Sequence, residues 1–157
     1  MQVKSRLYNF IACLKFFLKS HKGAFIYPIG TRRILAFLNT IWRAGFIFGY
    51  KVLSAFELKK LTLQGYTTSA TRPIIVHLKT YWYNCTDFAP AFLITLSKAA
   101  RPRYISNYVL RTYYDTRGGV STQPIVFLIA TCYGLITSEE ILNFNLKLGG
   151  LALCKFL

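Results

Sequence analysis

The pattern of apolar and polar positions is clearest near the C-terminus. An apolar run over residues 124–131 is followed by a turn that contains Gly134 and by a second short apolar segment, which predicts two strands joined by a glycine turn. Thr137 and Glu140 then have the spacing of a capping box, so a helix is expected to begin directly after Thr137. The glycines at 149–150 end that helix and lead into a final strand.

The first half of the chain contains both helical and strand patterns. Apolar positions recur every three or four residues in two segments, which is typical of amphipathic helices, and strand patterns occupy three others. Thr31 is a candidate N-cap of the second helix, and Gly45 is its expected end. The predicted elements are a helix over residues 5–21, a strand over 24–27, a helix from 31 to 45, strands over 46–56 and 74–83, and a polar extended loop over 57–73.

These elements predict an α+β fold of two small subdomains. The N-terminal subdomain, residues 1–83, is expected to run helix, strand, helix, strand, strand, with the loop 57–73 inserted. The C-terminal subdomain, residues 84–157, adds a strand over 91–97 to the elements described first. We expect it to be a mostly antiparallel β unit with one short helix.

The charge balance changes what these subdomains are expected to bind. The chain has 20 Lys and Arg against 5 Asp and Glu in 157 residues, a formal net charge of +15. Such an excess of cations indicates a polyanionic partner or an anionic membrane surface, with acidic substrates as a weaker option. Because 54% of the residues are hydrophobic, the chain is expected to be globular and not a basic disordered tail.

A membrane protein is the main alternative that composition suggests, since the mean hydropathy is +0.35. The longest stretch without a charged residue covers residues 118–138. It opens with glycines, Ser, Thr, Gln and Pro, which leaves too few apolar residues for a span of about 20. We therefore predict a buried pair of strands and no membrane span, and keep a membrane-surface role as the alternative function.

Residues for metal or catalytic chemistry are sparse. The cysteines Cys13, Cys85, Cys132 and Cys154 are far apart and form no CxxC pair, so we expect no zinc site. Glu139 and Glu140 are adjacent and are explained by the helix start, which argues against an acid–base pair. We predict a protein that is not an enzyme, with no metal, no cofactor and no small-molecule substrate.

Two basic clusters are candidates for nucleic-acid contact. Arg32 and Arg33 follow the Thr31 cap, where backbone amides and guanidinium groups would converge on a phosphate; a solvated basic turn is the alternative. The second cluster interleaves cations with tyrosines, a composition that suits RNA but that strand aromatics in a core also produce. It contains Lys98, Arg101, Arg103, Tyr104, Tyr108, Arg111, Tyr113, Tyr114 and Arg117.

The most specific motif lies in the C-terminal turn. Residues 131–137 read Thr-Cys-Tyr-Gly-Leu-Ile-Thr, residues 148–150 read Leu-Gly-Gly, and Arg101 and Pro102 lie upstream. From about residue 9 to residue 156 the chain resembles the family of the bacterial-type small-subunit ribosomal protein number eight, whose turn reads Thr-Ser-x-Gly, two aliphatics, then Thr or Ser. The first half matches the family's order at Lys15, Tyr27, Pro28, Thr31, Arg32, Gly45, Phe46 and Ile47.

The chain departs from the family pattern at a few positions. Ala130 and Cys132 stand where the family usually has hydroxyl residues, and Ile141 stands where a small residue is usual. Lys15 and Phe16 replace an Arg-Asn pair in the first helix. The loss of the two hydroxyls and of the Arg-Asn pair would remove side-chain contacts to RNA that the resemblance implies for other family members.

The resemblance implies a structural role in small-subunit assembly, without catalysis. The expected partners are the central domain of small-subunit rRNA and neighbouring small-subunit ribosomal proteins. If the resemblance holds for function, Gly134 would let the backbone approach RNA closely. Thr131 and backbone amides would donate hydrogen bonds to phosphates or 2′-hydroxyls. The alternative is a plain strand turn with glycine at positive φ. The predicted rRNA-binding residues are Thr31, Arg32, Lys98, Arg101, Arg103, Thr131, Cys132, Tyr133 and Gly134.

The composition also suggests a compartment. Aromatic residues make up 17% of the chain, as expected of an AT-rich genome, and the family-like portion begins within about ten residues of Met1, which leaves no room for a transit peptide. We predict an organelle-encoded protein of the mitochondrial ribosome in the matrix. A plastid, a bacterial cytoplasm and a nuclear gene shown without its leader are the alternatives.

Overall fold

The computed structural model of the protein describes residues 2–20, 23–63, 72–79, 93–116 and 125–156. Its elements are α1 Gln2–Lys19, β1 Ala24–Tyr27, α2 Arg32–Arg43, β2 Ile47–Val52, α3 Ala55–Leu63, β3 Ile74–Leu78, β4 Leu93–Thr95, β5 Tyr104–Ile105, α4 Asn107–Thr116, β6 Val126–Thr131, β7 Gly134–Thr137, α5 Ser138–Asn143 and β8 Gly150–Phe156. They form two compact units. One, called the 16–90 unit, is Phe16–Pro90; the other, called the C-terminal unit, is Met1–Lys15 with Ala91–Leu157.

The 16–90 unit contains a three-stranded antiparallel sheet in the order β1-β3-β2. In the central strand, Ile74, Val76 and Leu78 are buried, as a strand with one face on the core requires. Helix α2 contacts β2. Its apolar face is formed by Ile34, Phe37, Leu38 and Ile41, all fully buried.

The C-terminal unit contains a five-stranded sheet in which β8 is the central strand. Strand β6 pairs with β8 on one side and with β7 on its other side, whereas β4 and β5 both pair with the remaining side of β8. All of these pairings are antiparallel. Helix α5 packs against β6 and β7, and one face of the sheet buries Leu110 of α4 with Ile125, Phe127, Ile129 and Ile141.

Several predicted elements are confirmed. Strand β1 has the predicted bounds, and α2 begins after Thr31, whose hydroxyl accepts a hydrogen bond from the Ile34 amide at 3.3 Å. Gly45 follows α2 with a φ of 83°, which only glycine adopts without strain. The order strand, turn, strand, helix, strand near the C-terminus is as predicted, and the α+β class with its two antiparallel sheets is confirmed.

The predicted loop over residues 57–73 is wrong for its first part. Residues 57–63 belong to helix α3, and the strand predicted over 46–56 ends at Val52. A capping box explains the helix start: the Ser54 hydroxyl accepts from the Glu57 amide at 3.3 Å, and the Glu57 carboxylate accepts from the Ser54 amide at 2.9 Å. Residues 64–71 lie outside the described residues.

Other boundaries differ in length. Strand β3 ends at Leu78, and β4 ends at Thr95, before the predicted end at residue 97. Residues 91–92 of that predicted strand lie outside the described residues. The predicted subdomain boundary between residues 83 and 84 lies outside the described residues and stays a prediction, as do residues 80–83 of the predicted strand. None of the described helices combines the length and apolar character that a membrane crossing would need.

Helix α4 and strand β5 are elements that the sequence pattern did not predict. The helix begins after Ser106, whose hydroxyl accepts from the Val109 amide at 3.2 Å and whose carbonyl accepts from the Leu110 amide at 3.0 Å. Its side chains Leu110, Tyr113 and Tyr114 share one face that packs into the core. The cluster of cations and tyrosines predicted as one feature is therefore divided between the turn before β5, strand β5 and helix α4. Arg117 lies outside the described residues.

Candidate nucleic-acid interface

The predicted RNA-binding turn joins β6 to β7. Thr131 is paired with Gly134 in the antiparallel register, which leaves Cys132 and Tyr133 as the two turn residues. Gly134 has a φ of 113°, where L side chains are strained. A Cβ at this position would meet no atom within 4 Å, so backbone conformation, and not lack of space, accounts for the glycine.

The Thr131 side chain closes this turn. Its hydroxyl donates to the Gly134 carbonyl at 2.9 Å and accepts from the Tyr133 amide at 3.2 Å. A hydroxyl has one proton, and here that proton points into the turn. The groups presented to solvent are instead the thiol of Cys132 and the ring of Tyr133, whose residue is 79% exposed.

A second tight turn contains the predicted basic residues. The backbone amides of Lys98 and Arg101 each donate to the other's carbonyl, at 3.2 and 3.0 Å, with two alanines between them. Lys98, Arg101 and Arg103 are all exposed. Within the described part of the chain, none of them forms an ion pair with a carboxylate. We call residues 98–103 the basic turn.

Ser97 anchors the basic turn to the sheet, and sequence reasoning missed it. The residue is fully buried, its hydroxyl accepts from the Arg103 amide at 2.9 Å, and it donates to the Ala152 carbonyl of β8. The chain therefore leaves the sheet edge at Ser97 and returns at Arg103, whose carbonyl accepts from the Ala152 amide at 2.9 Å. The available signal was weak, because only Ser97 itself and Pro102 are typical turn residues in this segment.

Strand β8 places the two turns on the same sheet. Leu151 of β8 pairs with Ala130 on one side and with Tyr104 on the other. Two strand spacings separate those neighbours, so their Cα atoms are roughly 10 Å apart. Because β5 and β6 run in the same direction, Arg103 and Thr131 lie on opposite sides of this row of paired residues, with Cα atoms roughly 12 Å apart. The basic turn and the 131–134 turn therefore both adjoin this sheet.

The other predicted contact residues, Thr31 and Arg32, belong to the 16–90 unit. Thr31 is the N-cap of α2, and Arg32 and Arg33 are exposed in the first turn of that helix. The remaining seven predicted residues all lie in the C-terminal unit, on the two turns just described. The structure thus places Lys98, Arg101 and Arg103 in the same unit as residues 131–134, on turns of one sheet.

The glycines at 149 and 150 lead into the last strand as predicted, but they do not end the helix, because α5 already ends at Asn143. A Cβ on Gly149 would stand 2.6 Å from the Ile105 carbonyl oxygen. The segment before them is held by Asn107 of α4, whose side-chain amide donates to the carbonyls of Leu146 and Leu148 at 2.8 and 3.0 Å. This close backbone approach positions β5 and α4 against β8.

Arg111, predicted within the basic cluster, is engaged inside the unit. Its Nε donates to Asn107 at 2.8 Å, and its Nη2 donates to the Asn145 side chain at 2.7 Å. Asn145 itself has a φ of 50°. These contacts fix the segment between α5 and β8, so Arg111 is a structural residue and not a free cation.

Two pKa shifts describe the surroundings of the site. Burial raises the pKa of the Cys154 thiol on β8, whereas Cys132 in the turn is exposed. Burial, and secondarily the charge of Tyr104, raises the pKa of Tyr8 in α1.

Groups of three or more His, Cys, Asp or Glu that could hold a metal ion are absent from the described residues. The chain matches no protein-family model, and no curated protein matches its sequence.

Proposed function

We propose that this protein is a non-catalytic constituent of the small ribosomal subunit that binds the central domain of small-subunit rRNA and supports assembly and translation. The observation that supports the proposal most strongly is the presence of two exposed turns on one sheet. One turn has the Thr-x-x-Gly pattern of the family that the sequence resembles, and the other has three cations without carboxylate partners among the described residues. The net charge of +15 agrees with a polyanionic ligand.

The two turns would have different tasks on RNA. Lys98, Arg101 and Arg103 would neutralise phosphates and set the position of the unit on the helix. The 131–134 turn would place the Tyr133 ring and the backbone near Gly134 against the minor groove or an unpaired base. Thr131 would act indirectly, because its hydroxyl holds the shape of the turn.

The remaining parts of the proposal follow from the sequence. Arg32 at the start of α2 would contact a second stretch of rRNA, and neighbouring small-subunit ribosomal proteins would be further partners. We place the protein in the mitochondrial ribosome, encoded in the organelle, on the basis of its aromatic-rich composition.

The test is titration of the full chain with a hairpin from the central domain of small-subunit rRNA at several salt concentrations. Each phosphate contact should add roughly 0.7 to 0.9 to the slope of log K against log salt. Arg101→Ala and Arg103→Ala should each lower that slope, whereas Lys19→Ala, which removes an exposed cation at the end of α1, should leave it unchanged. Affinity that barely changes with salt would contradict the proposal, and co-sedimentation with small subunits would support it.

A further inference from the structure

The tyrosines after the basic turn divide into an inward pair and an outward pair. Tyr113 packs edge-to-face on Phe127 with ring centroids 5.3 Å apart, and the Tyr114 hydroxyl lies 2.7 Å from the Ser138 hydroxyl. Tyr104 and Tyr108, by contrast, are 76% and 78% exposed. The inward pair, Tyr113 and Tyr114, is therefore part of the core. The outward pair, Tyr104 and Tyr108, is available to a binding partner.

The exposed pair lies directly beside the cations. Arg103 precedes Tyr104 on β5, and Ser106 caps the helix whose outer face presents Tyr108. Four residue steps separate the two tyrosines, so their Cα atoms are at most about 14 Å apart. Exposed aromatic rings next to cations are the composition of single-stranded nucleic-acid sites, where the bases stack and the phosphates are neutralised.

We propose that Tyr104 and Tyr108 form a stacking platform for unpaired nucleotides of RNA, with Arg103 and Lys98 bound to the phosphates of the same strand. The platform rests on the proposed function and deepens it, because it defines the RNA that the C-terminal unit prefers: a helix at the two turns that continues into a single strand. Every base has a stacking face, so the platform would tolerate changes in the unpaired sequence.

Charge favours RNA over a protein as the occupant. The three cations of the basic turn, which directly precedes β5, have no carboxylate partners among the described residues. The whole chain has 5 acidic residues against 20 Lys and Arg. A second copy of this chain would bring the same excess of positive charge to the contact. A neighbouring protein that covers the tyrosines is therefore treated as a competing outcome of the experiment.

The experiment compares three RNAs on the full chain: the blunt rRNA hairpin, and the same hairpin with six unpaired uridines at its 5′ or its 3′ end. One extension should raise the affinity by roughly 5- to 150-fold for each stacked base. The double variant Tyr104→Ala, Tyr108→Ala should lose that gain while binding the blunt hairpin as before. The matched variant Tyr104→Phe, Tyr108→Phe keeps both rings and should retain the gain.

A second readout detects stacking directly. With 2-aminopurine in the extension, fluorescence should be quenched by the natural protein and by the Phe variant, but not by the Ala variant. Equal affinity of the natural protein for all three RNAs, with no quenching, would overturn the platform and leave the proposed function intact. If the Ala variant binds every RNA normally yet fails to join the small subunit, the surface is a protein contact and the platform is wrong.

Failure of the proposed function has a different signature, namely no salt-dependent binding of the blunt hairpin. In that case an octamer of uridine tests the platform alone. Binding by the natural protein and the Phe variant but not by the Ala variant would support it, and no binding would overturn it.

Discussion

Gly150 lies so close to Ala130 on the neighbouring strand that a Cβ on residue 150 would stand 2.2 Å from the Ala130 carbonyl oxygen. The atom in the way belongs to the backbone, so no side-chain rotation could make room. The pairing of β6 with β8 at this point requires glycine.

Gly150→Ala is expected to lower the free energy of unfolding of the C-terminal unit by about 3 kcal/mol or more, since β6 and β8 would have to separate. Denaturant titration measures the loss. Gly23→Ala is the matched control, because a Cβ there meets nothing within 4 Å, and it should change stability by no more than about 0.5 kcal/mol. Equal midpoints for the two variants would show that the close approach is not maintained in solution.

Ser97→Ala should destabilise the C-terminal unit by about 1–3 kcal/mol, because it removes the buried hydroxyl that bonds the Arg103 amide and the Ala152 carbonyl. Amide hydrogen exchange gives the local readout: the Arg103 amide should exchange faster in the variant. Ser20→Ala removes an exposed hydroxyl in the other unit and should leave that rate unchanged. An unaltered Arg103 amide in Ser97→Ala would refute the anchor.

The pKa of Glu57 is lowered to about 2, first by the hydrogen bond from the Lys51 side chain and next by the bond from the Ser54 amide. Because the carboxyl is more acidic in the folded chain than its ordinary value of 4.5, its contribution to stability is present above pH 4.5 and lost as the pH falls toward 2. An NMR titration of the Glu57 carboxyl carbon should show the low midpoint. Lys51→Ala should move it upward, and a midpoint near 4.5 in the natural protein would contradict the interaction.

The thiol of Cys132 allows the proposed contact between the 131–134 turn and RNA to be tested without a change of charge. This exposed thiol should react with a maleimide in the free protein, whereas Cys154 should react only on unfolding, because it is buried. If RNA covers the turn, an rRNA hairpin at ten times its Kd should slow labelling of Cys132 about tenfold. Peptide mass spectrometry assigns the site, with Cys132→Ser as the blank. Undiminished labelling at saturation would remove the turn from the interface.

The sequence was most informative where structure is determined by neighbouring residues. Thr31 and Gly45 mark the ends of α2 through one hydroxyl and one positive φ, and both effects depend on a few consecutive residues. The same is true of Thr137, whose hydroxyl accepts from the Glu140 amide at 3.3 Å. Helix-end interactions of this kind involve only neighbouring residues, so they form in any fold that contains the helix.

Helices α3 and α4 were missed although their signals were present. Ser54 and Glu57 have capping-box spacing, but they fall at the end of an aromatic segment with the composition of a strand. Leu110, Tyr113 and Tyr114 have helical spacing, yet tyrosine is common in strands and the basic residues around them suggested a binding segment. In both places residue type favoured a strand, whereas spacing correctly indicated a helix.

Other features depend on pairing between distant residues. Ser97 is buried because β8, more than fifty positions later, passes beside it, and Gly150 is constrained by Ala130 through the β6–β8 register. The hydroxyl of Thr131, a candidate from the turn motif, and the guanidinium of Arg111, a candidate from the basic cluster, likewise form hydrogen bonds within the unit. Position in the sheet determined which of the predicted polar groups face solvent.

The path of the chain through the basic turn has a consequence for solubility. An uninterrupted strand from residue 93 to residue 105 would present a long open edge beside β8, the kind of edge to which another chain can add a strand. The excursion after Ser97 divides that edge into two short strands, β4 and β5, and places Pro102 and three cations between them. The residues proposed to bind RNA would therefore also keep newly made copies of this protein, 54% of whose residues are hydrophobic, from joining edge to edge.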